Sequence, residues 1–297
     1  MQLRNPVSGN PVSGNRSSKA NGQSGLTLIE LLVALALGVF IAAGAAQVFV
    51  GSRASFEVIR AQSSMQESAR FGMTFIAEAT RQAGYVNAGN VVNGNDFAAN
   101  LVNVFQGVNP RWPVEGEFEE LAVVDGTDDA GGTIGGIDVK ANTDVLRVRL
   151  QGDPEVEMQD CSGSVITNDE ALYVRMVFFV SDDDQLYCQV FDGVAWVDPV
   201  PLVGGIENMQ VLYGLGGDPS DRFRAQQYVN AGAVPVDSWR EVMTVRVGLL
   251  AVSENEPLDR SSVNFTVLDE DLGGIADGKS RRVFTQTIAL RSNLSNT

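Results

Sequence analysis

Two groups of residues in this sequence could take part in chemistry: a carboxylate at the start of an apolar run, and a pair of cysteines. Glu30 directly precedes Leu31–Val50, twenty residues without a charged side chain. A carboxylate in a low-dielectric setting needs a partner charge. The position of Glu30 therefore predicts that its carboxylate pairs with a cation. The alternative is that Glu30 simply lies at the headgroup level of a membrane. Cys161 and Cys188 could form a disulfide in an oxidising compartment, or be two unrelated buried thiols.

Histidine is absent from the chain. Its absence removes the commonest general base and the commonest metal ligand, and it excludes Ser-His-Asp and Cys-His mechanisms. Two cysteines without histidine do not make an ordinary zinc site. The sequence predicts a protein that is not an enzyme and that uses no metal and no cofactor.

The formal net charge of −16 argues against nucleic-acid binding, because the phosphates would be repelled. The only local basic group is formed by Lys279, Arg281 and Arg282. We therefore expect no nucleic-acid partner.

Residues 31–50 are long enough to cross a bilayer core of about 30 Å as a helix. Residues 1–25 are polar and carry Arg4, Arg16 and Lys19 but no acid. By the positive-inside rule, the N-terminus stays in the cytoplasm and the rest is exported. We expect a basic, disordered leader (1–25), a transmembrane segment (26–50), an amphipathic continuation of the same helix (51–84) and an exported β-rich domain (85–297).

The small residue Gly25 precedes the apolar run, whereas an ordinary secretory signal is cut after its run. The segment Gly25-Leu26-Thr27-Leu28-Ile29-Glu30, followed by Leu-Leu-Val-Ala-Leu, resembles the class III signal of type IV pilins and pseudopilins. That resemblance implies cleavage after Gly25 by a prepilin peptidase and methylation of Leu26. It also implies that Glu30 meets the N-terminal amine of a neighbouring subunit during assembly. The family usually has phenylalanine where this chain has Leu26.

Small residues recur every four positions within the apolar run. They are Ala34, Gly38, Ala42 and Ala46. Such a stripe lets another helix approach closely in lipid, so it predicts helix packing. The alternative is that alanine and glycine are simply common in membrane helices.

The helical pattern continues beyond the membrane segment, with apolar residues at three- to four-residue steps from Phe56 to Ala83. Gly84 is a typical residue to end such a helix. We expect one helix from about Thr27 to Ala83, whose second half packs against a domain.

Eight strand candidates follow the helix, so the predicted fold is α+β and pilin-like, with one or two antiparallel sheets wrapped on the helix. Residues 181–184 predict a hairpin turn that places Cys188 in one arm. The candidates are Leu121–Val124, Val145–Leu150, Leu172–Val180, Gln185–Phe191, Met209–Tyr213, Val242–Val252, Val263–Val267 and Val283–Leu290.

Acidic clusters at residues 125–129, 182–184, 218–221 and 269–271 are predicted to be solvated turns, with at most a weak calcium site at 218–221. Residues 131–136 are glycine-rich and predict a flexible loop. The run from Gln66 to Tyr85, the cysteines and the stretch from Arg281 to Arg291 resemble PilW-like minor pilins.

The resemblance implies a minor pilin that supports type IV pilus assembly in an initiation or tip complex, with twitching motility or adhesion as downstream roles. Its implied partners are other minor pilins, the major pilin, the prepilin peptidase and the inner membrane. The alternatives are a type II secretion pseudopilin and a membrane-anchored adhesin.

Overall fold

The computed structural model describes residues 25–85, 122–151, 157–166, 173–216, 225–253 and 262–290. The predictions for the leader before Gly25, for loops at 86–116 and for the acidic cluster at 218–221 fall outside these residues. The chain divides into two compact units, the first ending at Ala54 and the second beginning at Ser55.

One helix, α1, spans Leu28–Gln82, close to the predicted range. Its residues up to Val50 are exposed throughout. In the second unit, α1 buries one face, on which Met65, Ala69, Met73 and Ile76 follow one another at three- to four-residue steps. The amphipathic pattern therefore places this part of α1 against a core, as the sequence predicted.

The end of α1 is fixed by Gly84. This glycine has φ +72°, a left-handed conformation that few other residues adopt without strain. Its N–H donates to the carbonyl of Arg149 at 2.7 Å, which joins the helix end to a strand of the domain. The structure thus confirms Gly84 as the residue that stops the helix.

The described residues form these strands: β1 Val124–Ala130, β2 Thr133–Ile134, β3 Ile137–Asp138, β4 Thr143–Gln151, β5 Tyr173–Val180, β6 Gln185–Phe191, β7 Val200–Gly204, β8 Ile206–Gly216, β9 Ala225–Val229, β10 Val242–Val252, β11 Val263–Val267, β12 Glu270–Ile275 and β13 Arg281–Ala289. They pair antiparallel, in one sheet of five strands in the order β1-β4-β5-β6-β7, one of four in the order β13-β10-β8-β9, and two small hairpins, β2-β3 and β11-β12. Two short 3-10 helices, Ala231–Ala233 and Val236–Glu241, lie between β9 and β10.

Both sheets contact α1 at Gly72. A Cβ atom added there would lie 3.0 Å from a methyl group of Leu186 on β6 and 3.3 Å from one of Leu249 on β10. Glycine therefore lets the helix approach both sheets at once, and the main core includes side chains from α1 and from both sheets. The expected α+β fold, with antiparallel sheets packed on one long helix, is confirmed.

Several strand predictions agree closely with the structure, and others are wrong. The predicted strand Leu121–Val124 is replaced by β1, which begins where that prediction ends. Strands β7, β9 and β12 were not predicted, and residues 131–136 form most of the β2-β3 hairpin instead of a flexible loop. The turn at 181–184 does join β5 to β6, as expected.

Strand β1 passes very close to the aromatic ring of Tyr213, and only glycine fits at that point. A Cβ atom on Gly126 would collide with the hydroxyl of Tyr213 and lie 2.7 Å from the carbonyl oxygen of Val145. The Tyr213 hydroxyl is fully buried and makes no hydrogen bond with the residues that the structure describes. The contact is therefore one of shape and not of polar pairing.

Replacing Gly126 by alanine is expected to destabilise the domain by about 1–3 kcal/mol, because the packed strand must shift. Trp239, whose ring lies 4.8 Å from that of Tyr213, gives a fluorescence signal for urea unfolding of the full chain in detergent. Tyr213→Phe alone removes an unsatisfied buried hydroxyl and should be neutral or stabilising. In the Tyr213→Phe background the cost of Gly126→Ala should fall; an equal cost in both backgrounds contradicts this explanation.

Candidate functional site

The segment that begins α1 leaves the Gly25–Leu26 peptide bond outside the helix. Residues 25–27 precede the first helical residue, Leu28, and Leu26 is 74% exposed. A Cβ atom on Gly25 would meet nothing within 4 Å. This bond is therefore in non-helical, open backbone, the conformation in which a peptidase can bind a substrate.

Thr27 starts the helix as its N-terminal cap. Its carbonyl accepts from the N–H groups of Glu30 at 3.1 Å and Leu31 at 3.2 Å, and its hydroxyl oxygen lies 3.4 Å from the Glu30 nitrogen. Thr27 and Glu30 have the spacing of a capping box, in which threonine and glutamate support the first turn. The helix start is thus defined within two residues of the predicted cleavage site.

Glu30 lies in the first turn of α1, where the helix dipole favours a negative charge. It borders a shallow apolar groove formed with Ile29, Val33, Ala34 and Leu37. Within the part of the chain that the structure describes, Glu30 makes no ion pair. A carboxylate in this position is chemically suited to accept a cation from outside the chain.

The apolar run of α1 is long and apolar enough to cross a membrane. Its residues are exposed throughout, with Phe40 82% exposed and Ile41 70% exposed. Ala34, Gly38, Ala42 and Ala46 follow one side of this segment, and the space around Gly38 is open to 4 Å. The structure therefore leaves the small-residue stripe accessible to another helix.

The two cysteines form a disulfide, Cys161–Cys188, with the Cα atoms 6.3 Å apart. Cys188 is fully buried on β6, and Cys161 lies in the segment 157–166, whose Met158 and Ile166 pack into the main core. Asp160 orders this segment by accepting from the N–H groups of Ser162 at 2.7 Å and Ser164 at 3.1 Å. The disulfide thus fastens a short loop to β6, an inner strand of the five-stranded sheet.

The first acidic cluster differs from its prediction, because Asp125 is buried and not solvated. It lies on β1 opposite Arg147 of β4, and its carboxylate is 3.4 Å from the guanidinium of that residue, which is also buried. Burial raises the pKa of Asp125, although Arg147 and Arg149 act in the opposite direction. The prediction missed this pair because an acidic run with glycine resembles a turn.

A second buried carboxylate, Asp144, joins the two sheets. One oxygen accepts from the N–H of Asp129 at 3.1 Å, and the other accepts from the N–H of Val211 on β8 at 2.8 Å. Beside it, the carbonyl of Asn142 accepts from the side-chain amides of Asn208 at 2.7 Å and Gln210 at 2.9 Å. These polar contacts fix the position of β4 against β8.

Burial raises the pKa of Asp144 to about 7, while the hydrogen bonds from Val211 and Asp129 lower it and the nearby Asp128 and Asp269 raise it. The folded chain therefore binds this proton more tightly than the unfolded chain, so its stability falls as pH rises from about 4 to about 7. Burial also raises the pKa values of Asp128 and Glu270, so these groups change the stability with pH in the same direction as Asp144.

The free energy of unfolding of the domain should accordingly be higher at pH 5 than at pH 8. It should fall by up to about 1.4 kcal/mol per pH unit for each proton that the folded chain releases. Urea unfolding at both pH values measures this difference. Asp144→Asn, which cannot ionise, should reduce the pH dependence. The same pH dependence in wild type and variant would contradict a role for this carboxylate.

Among the described residues, no group of three or more cysteine, aspartate and glutamate side chains is placed to hold a metal ion. The acids at 182–184 lie at the turn between β5 and β6, and those at 269–271 lie at the β11-β12 turn.

Comparisons with known proteins match both ends of the chain. Residues 177–292 match the family described as Type IV Pilus-assembly protein W, and residues 20–46 match the Prokaryotic N-terminal methylation motif. A search of curated proteins finds no match. Among solved structures, a type IV-like pilin from Thermus thermophilus is similar over 50% of this chain and 79% of its own, with 16% identity and a TM-score of 0.34.

Proposed function

We propose that this chain is a type IV pilus minor pilin of the PilW family, made as a precursor and processed before it enters the pilus; the matches at residues 177–292 and 20–46 support this. The prepilin peptidase cuts after Gly25 and Leu26 is methylated. Residues 26–50 hold the chain in the inner membrane with its N-terminus in the cytoplasm. The domain that follows lies in the periplasm until the subunit is built into the fibre.

The observation that carries this proposal is the coincidence of three features within one short segment. An accessible Gly25–Leu26 bond precedes the helix, Glu30 lies in its first turn without a partner among the described residues, and the exposed apolar run begins directly after it. Each feature alone is common, whereas here all three begin within residues 20–46, the range that matches the Prokaryotic N-terminal methylation motif.

The proposed role of Glu30 is to pair with the α-amino group of a neighbouring subunit. Cleavage after Gly25 creates such a cation on Leu26, at the edge of the apolar segment of each chain. Opposite charges attract strongly in a low-dielectric setting, and an unpaired charge there is costly. Pairing of the Glu30 carboxylate with a neighbour's amine would therefore align the two chains in the membrane. The small-residue stripe from Ala34 to Ala46 would then allow the helices to pack.

We further propose that the chain works in the complex that initiates or caps the fibre, with other minor pilins and the major pilin as its partners. The members of this class act as structural subunits, so the contribution is assembly and not catalysis. Motility and adhesion follow from the finished pilus.

A deletion strain distinguishes a role in the pilus from a role in a type II secretion system. Loss of surface pili with normal secretion of exoproteins is the expected result, and complementation with the full chain should restore the pili. Normal pili with a defect in exoprotein secretion would instead identify a type II secretion pseudopilin and would refute the proposal.

A further inference from the structure

One edge of the four-stranded sheet is formed by β13, which pairs with β10 alone among the described residues. At one end of this pair, the N–H of Ser253 donates to the carbonyl of Ser280. At the other end, the N–H of Leu290 donates to the carbonyl of Met243. Backbone groups alternate in direction along an antiparallel strand. The odd-numbered residues of β13, from Arg281 to Ala289, therefore direct their N–H and carbonyl groups away from β10.

Strand β13 lacks most of the features that usually protect a sheet edge, which are shortness, proline, a β-bulge and charge. It pairs with β10 over nine consecutive residues without a shift in register. The other three edge strands of the two main sheets, β1, β7 and β9, each have such a shift in their pairing. Strands β7 and β9 are also only five residues long, and β7 contains Pro201. In the described part of the chain, β13 is therefore the edge best suited to receive a further strand.

The composition of β13 favours pairing over most of its length. Its charged residues are the first two, Arg281 and Arg282, and the seven that follow are uncharged. Four of these seven are β-branched, the residue type that suits an extended chain. At about 3.4 Å per residue, the uncharged run offers about 24 Å of unpaired edge. Thr285 lies at its middle and is exposed.

A groove of about 480 Å³ lies at the start of this edge, between α1 and the β11-β12 hairpin. Its apolar lining comes from Val263, Phe265 and Ile275, and Val263 remains 48% exposed. Lys279 and Arg282 also line the groove, and neither forms an ion pair with any residue that the structure describes. Cations beside accessible apolar surface favour an occupant that carries a carboxylate next to an apolar side chain.

We propose that β13 receives an extended segment of a different pilus subunit as a further strand of the four-stranded sheet. Its outward N–H and carbonyl groups alternate along one line, and extended backbone matches such a row whereas a helix does not. The segment carries a run of uncharged, β-branched residues with a carboxylate and an apolar residue at one end, which lies beside Arg282 and the groove. The inference rests on the proposed function, in which this chain works among other minor pilins and the major pilin.

Strand β13 of a second copy does not have the composition that this edge requires. Paired antiparallel, it would bring its C-terminal end beside Arg282, and the residues that follow Ala289 include Arg291 but no acid. Paired parallel, it would place Arg281 and Arg282 beside the same residues of the other copy. Like charges that face each other across two strands are destabilising. Both arrangements favour a different subunit as the source of the strand.

The added strand makes a small contact, so it is weak between free molecules. Chains held in one membrane meet at a much higher effective concentration, which makes a weak contact productive. The proposal is therefore tested with the full chain in its own membrane.

Site-specific photo-cross-linking tests where the other subunit lies. A benzophenone amino acid is introduced in place of Thr285, or, as a matched control, in place of Gln226, which is exposed on β9 at the opposite edge of the same sheet. The probe at Thr285 should give a product with a different pilus subunit, in at least about tenfold higher yield than the probe at Gln226. Mass spectrometry of the cross-linked peptide should find an uncharged run that ends in a carboxylate.

A proline substitution distinguishes strand addition from simple proximity. The N–H of Thr287 faces away from β10, so Thr287→Pro removes an outward donor without removing a bond of the existing ladder. Thr287→Ala keeps that N–H and loses the same side chain, including the bond that its hydroxyl accepts from Arg246 at 3.2 Å. With the probe at Thr285, proline should lower the yield at least about fivefold, whereas alanine should leave it unchanged. Urea unfolding checks that both variants fold.

Arg282→Glu is a second variant, which decides the matter if Thr287→Pro does not fold. Arg282 is exposed, so its replacement leaves the core undisturbed, and the change of charge should lower the yield severalfold. An unchanged yield would contradict the predicted carboxylate of the added strand.

Four results would overturn the proposal: no product from the probe at Thr285, equal yields from the probes at Thr285 and Gln226, equal yields from folded Thr287→Pro and Thr287→Ala, or a product within this chain or with a second copy of it. Pili and the mass of the chain are measured in the same strains. A processed chain in piliated cells without the product refutes the strand addition alone, whereas an unprocessed chain refutes the proposed function.

Discussion

Replacing Glu30 by alanine is expected to stop incorporation of this chain into pili, with at least about a tenfold loss in sheared surface fractions. The physical reason is the pairing of its carboxylate with a neighbour's N-terminal amine. At an effective dielectric constant of about 20, two charges about 4 Å apart attract by about 4 kcal/mol. Losing one partner removes this attraction and leaves the other charge uncompensated in lipid.

Two further variants sharpen this prediction. Glu30→Gln keeps the size and polarity of the side chain but lacks the charge, so it should fail like alanine. Glu57→Ala removes another exposed carboxylate of α1, outside the apolar run, and should assemble normally. Cleavage after Gly25 should continue in all three variants, because the scissile bond lies before the helix. Normal incorporation of Glu30→Ala into pili would contradict the proposed role of this carboxylate, whereas unchanged function of a chain that never enters pili would favour a membrane-anchored adhesin.

Removing the disulfide by Cys161→Ala with Cys188→Ala is expected to lower the free energy of unfolding by about 3–4 kcal/mol, as the chain-entropy model gives for a loop of this size. Cys188 is fully buried on β6, so the segment 157–166 would also lose its attachment to the core. Urea unfolding of the full chain, followed by its tryptophan fluorescence, measures the loss.

The single variants serve as controls for this prediction. Cys161→Ala should cost about as much as the double variant, since the cross-link is lost in either case. Treating wild type with a reductant before unfolding should move its midpoint towards that of the variants. An unchanged midpoint after both treatments would mean that the disulfide contributes nothing to stability.

The long helix could be predicted because its signals are local. Twenty uncharged residues, a small-residue stripe and a three- to four-residue apolar period all lie within one continuous segment. Gly84, with φ +72°, ends it where the sequence suggested. Strands β6, β10 and β11 were predicted with the bounds that the structure has, since each is a run rich in β-branched or aromatic residues between turn residues.

The strands that prediction missed owe their conformation to neighbours and not to their own composition. Strand β7 contains Pro201, which argues against a strand except at a sheet edge, and β7 does lie at an edge. Strand β12 is rich in acid and glycine and, among the described residues, pairs only with β11. Strand β1 contains Asp125, whose place in a sheet depends on Arg147, 22 positions later.

The polar contacts between the sheets could not be predicted for the same reason. Asp144 bonds to the backbone of Val211, 67 positions away, and no local pattern marks either residue. One signal was available: Arg147 and Arg149 alternate with apolar residues in β4, and a buried arginine needs a carboxylate. The start of α1 is different, because the pattern that predicts its role, from Gly25 to Glu30, lies within six consecutive residues.

The mass of the intact protein tests the central claim most directly. It is measured on the full chain purified from cells with and without the prepilin peptidase. The proposal predicts the mass of residues 26–297 plus one methyl group when the peptidase is present, and the unprocessed mass when it is absent. An unprocessed mass in the presence of an active peptidase would contradict the proposal that this chain is a processed pilus subunit.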